Sequence, residues 1–189
     1  LSDIAFAAHH HHEPCWQDAR QIAWQLNRWQ RDWLLDSGSL TARLRRKSQG
    51  QLSVTILRQQ LLYPYLSEAR LLGIPLKKLA LVREVLLSGG DTPWVFARSV
   101  LPLTTLSGRL RRLRKLDNRP LGELLFREPG MRRGEIQVAR VGCDNRYLPL
   151  AFKHQHLIGN QRLWGRRSKF YLDDKPLLVS EVFLDTFIP

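Results

Sequence analysis

"KKLALVREVLLSGGDTPWVFARSVLP", residues 77–102, decides how the rest of the chain folds. Side chains alternate across a strand, so Leu79, Leu81, Arg83, Val85 and Leu87 share one face. Gly89-Gly90-Asp91 offers a turn, and "PWVFARSVLP" runs back, which predicts an antiparallel hairpin. The same alternation returns in "KPLLVSEVFL", 175–184, where Leu177, Val179, Glu181 and Phe183 face one way and Leu178, Ser180, Val182 and Leu184 the other. Both faces are largely apolar, so this strand is expected to be covered on both sides. Further strands are predicted at 52–60 ("LSVTILRQQ"), 134–142 ("GEIQVARVG") and 168–172 ("SKFYL").

Around these lie helical patterns. Trp16, Ile22, Ala23, Leu26, Trp29 and Trp33 recur at helical spacing over 15–36 and read as one core-facing helix. Ser39 can cap a short helix, Leu40–Lys47. "TLSGRLRRLRKL" (105–116) keeps its leucines on one side, and "RPLGELLF" (119–126) is a further short helix. "PYLSEARLLGIP" (64–75) reads as an irregular connection and 143–162 as a long loop. Strands joined by tight turns and edged with helices predict an α+β fold with one antiparallel sheet. A single domain over 15–189 is expected, preceded by a flexible tail, 1–14, that carries the His9–His12 tract.

The net charge of +13 on 189 residues implies a field that attracts anions, without choosing among nucleic acid, an acidic membrane and a charged small molecule. "GRLRRLRK" could touch nucleic acid, but its leucines make the arginines a solvated face, and no nucleic-acid motif is visible, so no nucleic-acid partner is expected. Cys15 and Cys143 form no disulfide framework, no apolar run suffices to span a bilayer, and no signal peptide is evident; a cytoplasmic protein is expected. His154 and His156 lack a third ligand, so no metal is expected there.

Two strands carry an ionised residue on an apolar face, with opposite signs: Arg83 and Glu181. They either satisfy one another as a buried pair or both line an internal pocket, where the planar fork of Arg83 would hold a carboxylate. Periodicity leaves both open.

"DWLLDSGSLT", "VTILRQQ", "LVREVLL", "PWVFARSVLPLTTLSG", "PLGELLF", "LWGRRS" and "KPLLVSEVFL" occur in the order found in the chorismate pyruvate-lyases, which the chain resembles from about Trp33 to Phe183. The resemblance implies a six-stranded antiparallel sheet flanked by helices and a lyase that eliminates pyruvate from chorismate to give 4-hydroxybenzoate for ubiquinone synthesis, without cofactor or metal. It implies that Arg83 grips the ring carboxylate, that Glu181 meets the ring hydroxyl and assists proton movement, and that the backbone N–H groups of Leu40 and Leu121 also bind the carboxylate. Arg83 and Glu181 are thus the expected catalytic pair, with Leu40 and Leu121 as further substrate-binding positions. For the second carboxylate of chorismate, Arg98, Arg140, Arg166 and Arg167 are conceivable cations, each of which solvation would also explain. Departures from the family are the tail and the longer stretch before "LWGRRS". A monomer is expected, with peripheral contact to anionic membrane or to the membrane-bound prenyltransferase that takes 4-hydroxybenzoate next. The rival from the same fold is a non-catalytic sensing domain for aromatic carboxylates, as in helix-turn-helix regulators.

Overall fold

The structure, a computed structural model, describes residues 13–142, 147–149 and 162–189. Its centre is one antiparallel sheet. Six strands are long: β2 (Leu52–Leu62), β3 (Ala80–Gly89), β4 (Thr92–Pro102), β5 (Arg132–Gly142), β6 (Arg162–Leu172) and β7 (Lys175–Phe183). A two-residue strand, β1 (Gln17–Asp18), adds a seventh, in the order β1-β5-β6-β7-β4-β3-β2. The expected hairpin pairs β3 with β4, Arg83 facing Ser99 and Val85 facing Ala97. A second hairpin joins β6 to β7 through Asp173 and Asp174, both at positive φ (49° and 60°), the backbone that a two-residue turn between twisted strands requires.

Both faces are covered. On the front, α1 (Ala19–Ile22), α2 (Arg28–Leu34) and α3 (Leu40–Lys47) pack Ile22, Leu34, Leu40 and Leu44 against Val85, Leu87, Val95 and Phe183. At the other end of this face, the 3-10 helix Gly108–Arg114 and α5 (Leu121–Arg127) pack Leu110, Leu113, Leu121 and Leu125 against Leu81, Leu101, Phe170 and Val179. On the back, α4 (Leu66–Leu72) with Tyr65 and Tyr147 covers Val82, Val100, Phe96, Leu178 and Val182.

Three local expectations need correction. The single helix over 15–36 breaks into β1, α1, a 3-10 turn (Ala23–Gln25) and α2, because Asn27 and Gln30 form a capping box, each side chain bonded to the other's backbone N–H at 3.0 Å, and start a new helix. The connection 64–75 contains α4: the Glu68 side chain accepts from the Tyr65 N–H at 2.9 Å, and Gly73, at φ 68°, closes the helix. The strand predicted at 168–172 starts at Arg162 and takes in "LWGRRS". His9–His12, Cys143, His154 and His156 lie outside the described residues. Within the expected tail, Glu13 accepts from the Ser67 N–H at 3.1 Å. No helix among the described residues is long and apolar enough to cross a membrane.

Candidate active site

The two apolar clusters of the front face leave a polar band between them. Residues opposite one another across the ladders share a face, so one row reads Arg83, Ser99, Val179, Ser168, Ile136 and the next Val85, Ala97, Glu181, Arg166, Val138. Arg83 and Glu181 stand on this face two strands and two residues apart, about 12 Å between their Cα atoms from ordinary sheet spacings. They do not pair. Arg83 is 2% exposed and donates from Nη1 to Gln59 Oε1 (2.6 Å) and from Nη2 to the carbonyls of Asp117 (2.5 Å) and Arg119 (3.2 Å). Among the described residues no carboxylate lies within salt-bridge distance of it. Burial pulls its pKa below the ordinary arginine value, opposed by the charge of Asp117.

Gln59 reaches Arg83 because β2 carries a bulge between Ile56 and Arg58. Val54 and Ile56 face front; the extra residue resets the alternation, so that Gln59 also faces front instead of back.

Glu181 accepts from Arg166 Nε at 2.7 Å. Its side chain keeps 15% of its surface although it stands on a central strand beneath helices, so space remains above it, whereas Arg166 keeps 1%. Arg166 Nη1 donates to the carbonyls of Trp33 (2.8 Å) and Asp36 (2.9 Å), which ties the strand to the end of α2.

Leu40 and Leu121 are each the first residue of a helix, where backbone N–H groups have no intrahelical acceptor. Ser39 caps Ala42 at 3.3 Å, while α5 has no side-chain cap. The two helix starts adjoin: a Cβ on Gly122 would stand 2.9 Å from Thr41 Oγ1, and Arg45 bonds Glu123 at 2.7 Å. Arg83 grips the carbonyls of Asp117 and Arg119, in the segment that leads into α5. The structure thus brings Arg83 beside the start of α5, with the start of α3 adjacent, and sets Glu181 farther along the same face.

The four conceivable cations separate. Arg98 lies on the back face, fully enclosed between Glu68 (2.8 Å) and Glu84 (2.6 Å). Burial is the largest single influence and would lower its pKa, but the charge and hydrogen bond of Glu68, with Tyr65 and Tyr147, together outweigh it and raise the value. Arg167 is also on the back, bonded to Gln137 Oε1 and Ser67 Oγ, both at 2.8 Å. Arg140 is exposed, 4.7 Å from the Trp164 ring centre. Arg166 alone of the four belongs to the polar band. Sequence reading passed over a fifth, Arg133, whose Nε donates to Ser168 Oγ (3.0 Å) and whose Nη1 donates to the carbonyls of Asp36 (3.1 Å) and Gly38 (3.4 Å). A bulge between Arg133 and Ile136 puts it on the front face, where strict alternation from Ile136 would point it back. Gly134 lies in that bulge, where a Cβ would stand 3.2 Å from the Lys169 carbonyl.

Fold and site together define an α+β protein with a buried, cationic band framed by two apolar clusters on one face of a single sheet. The model of the family described as chorismate lyase matches residues 11–188, and the chain belongs to that family. A protein of Thiobacillus denitrificans named "Probable chorismate pyruvate-lyase" is 40% identical over 179 residues, 92% of this chain and 95% of that one. One of the same name from Idiomarina loihiensis is 43% identical over 171 residues, 89% of this chain and 84% of its own. Among solved structures, a transcriptional regulator of the GntR family from Bacillus cereus shares the fold, with a TM-score of 0.54, 14% identity, and coverage of 74% of this chain and 95% of that one.

Proposed function

We propose that the protein is a chorismate pyruvate-lyase that forms 4-hydroxybenzoate and pyruvate. The observation that carries this reading is the state of Arg83: a buried guanidinium bonded to neutral oxygens, with no carboxylate partner among the described residues, beside an uncapped helix start. A buried cation left without a counter-ion is a place for an anion.

Arg83, with the N–H groups of Leu40 and Leu121, holds the ring carboxylate, and Glu181 meets the ring hydroxyl at the far end of the band. The reaction breaks the bond between ring carbon and enolpyruvyl oxygen, removes the hydrogen from the carbon that bears the hydroxyl, and protonates the departing enolpyruvate to pyruvate. Aromatisation drives it. The chain's own residues need only orient the ether and stabilise developing charge. Glu181, held by Arg166, receives the hydroxyl hydrogen bond as the ring becomes a phenol. The product would feed ubiquinone synthesis in the cytoplasm, and the basic surface suits contact with anionic membrane or a membrane-bound prenyltransferase.

Incubating the purified protein with chorismate should release 4-hydroxybenzoate and pyruvate in equal amounts. Tight binding of 4-hydroxybenzoate with no turnover would instead favour the sensing domain, which the regulator-like fold admits.

A further inference from the structure

Arg166 and Arg133 converge on one oxygen. Both donate Nη1 to the Asp36 carbonyl, at 2.9 and 3.1 Å. Like charges held that close repel, and burial together with the Arg166 charge pulls the Arg133 pKa down to about 10, against the opposing pull of Glu181 and Asp36. Arg166 has Glu181 as counter-ion. Arg133 has no carboxylate within salt-bridge distance among the described residues, and its Nη2 has no hydrogen-bond partner there. Asp36, whose carbonyl they share, turns its carboxylate elsewhere, to the Gly38 N–H (2.8 Å) and Arg43 (3.4 Å).

The front face therefore holds three guanidinium groups, Arg83, Arg133 and Arg166, of which only Arg166 has a carboxylate within salt-bridge distance among the described residues, that of Glu181; Asp117 and Asp36 act on Arg83 and Arg133 from farther away. The two cations without a direct counter-ion stand four strands apart in the sheet: Arg83 on β3 beside α5, and Arg133 on β5 against the connection between α2 and α3 at Asp36 and Gly38. A monoanion such as 4-hydroxybenzoate would neutralise one of them. A dianion with its carboxylates on opposite sides would neutralise both. We propose that Arg133 is a specificity-determining residue that binds the second carboxylate of a dicarboxylate substrate, leaving Arg83 to hold the first; this rests on the chorismate reading above.

The geometry supplies a reason for separating the two sites. After the enolpyruvyl group departs as pyruvate, its carboxylate leaves with it, and Arg133 loses its ligand while Arg83 keeps the aromatic product. Arg133 thus distinguishes substrate from product, which Arg83 cannot do.

The test compares Arg133→Gln and Arg133→Lys with the unaltered protein, using chorismate and 4-hydroxybenzoate as probes. Loss of a charge-assisted contact should lower kcat/KM for chorismate by about 10- to 100-fold in Arg133→Gln, mostly through KM. Arg133→Lys should lie between, since it keeps the charge and loses the fork. The Kd of 4-hydroxybenzoate should change by less than about two-fold, which also reports an intact fold. Equal losses for both ligands, or no loss for chorismate, would overturn the proposal. If the unaltered protein failed to convert chorismate, the lyase reading would fall. The two-cation inference would still be read in binding: chorismate should bind more tightly than 4-hydroxybenzoate and lose that margin in Arg133→Gln, and the absence of any margin would overturn it.

Discussion

Arg83→Met separates recognition from stability. The guanidinium donates three hydrogen bonds to neutral oxygens and has no ion-pair partner among the described residues. Its removal leaves Gln59, Asp117 and Arg119 short of a donor, at about 1–3 kcal/mol for each group that water cannot reach. It also relieves the burial of an uncompensated charge, which is what lowers the Arg83 pKa. The opposing effects should nearly cancel, leaving stability within about 1 kcal/mol and Tm within about 4 °C of the unaltered chain. Ligand binding has no such compensation. Two charge-assisted bonds to a carboxylate, at about 1.5–3 kcal/mol each, should weaken 4-hydroxybenzoate binding by at least about 100-fold. Calorimetric titration beside a thermal melt reads both quantities, and Arg83→Lys should recover part of the affinity. A protein that melted far earlier yet bound 4-hydroxybenzoate as before would show Arg83 to be a structural residue and refute the reasoning.

Arg98→Met should behave in the opposite way: it strands the Glu68 carboxylate in the back-face core and leaves Glu84 only its pair with Arg58 at 3.4 Å, at about 3–5 kcal/mol, lowering Tm by roughly 6–20 °C while 4-hydroxybenzoate affinity below the melt is kept. Glu181→Gln should lower kcat for chorismate by about 100-fold in a steady-state assay, with Arg166 still anchored by the Trp33 and Asp36 carbonyls. The Asp36 carboxyl lies below its ordinary 3.8; burial pushes it up, but the Gly38 N–H, Arg166 and Arg43 outweigh that. Its ionised form therefore adds stability above pH 3.8 that is lost as pH falls through the lower folded value. Melts of Asp36→Asn should accordingly show a deficit at about pH 6 that shrinks as pH falls below 3.8.

Strand periodicity was enough to place Arg83 and Glu181 on inward faces, and the family resemblance assigned them roles, because both residues sit in uninterrupted alternation on β3 and β7. Periodicity could not say whether they paired, since that depends on Gln59, Asp117 and Arg166, which arrive from other elements. Arg133 lies before the strand predicted at 134–142, and even extending that strand's alternation backward from Ile136 would point it to the back, because a bulge is silent in a hydrophobic pattern. Arg98 and Arg167 were entertained as ligands because a buried arginine reads alike on either side of a sheet until its partners are seen. The broken N-terminal helix followed from local chemistry at Asn27 and Gln30, which a stripe of tryptophans overshadowed.

The bulges in β2 and β5 give this scaffold an unusual mutational geography. Because one surplus residue decides which side Gln59 and Arg133 occupy, deleting a single codon near Leu57 or Gly134 would turn that polar contact, with its neighbours on the shifted side of the bulge, to the opposite face of the sheet. Chain length within these two strands is therefore as consequential for the face that Gln59 and Arg133 occupy as the identity of the residues themselves.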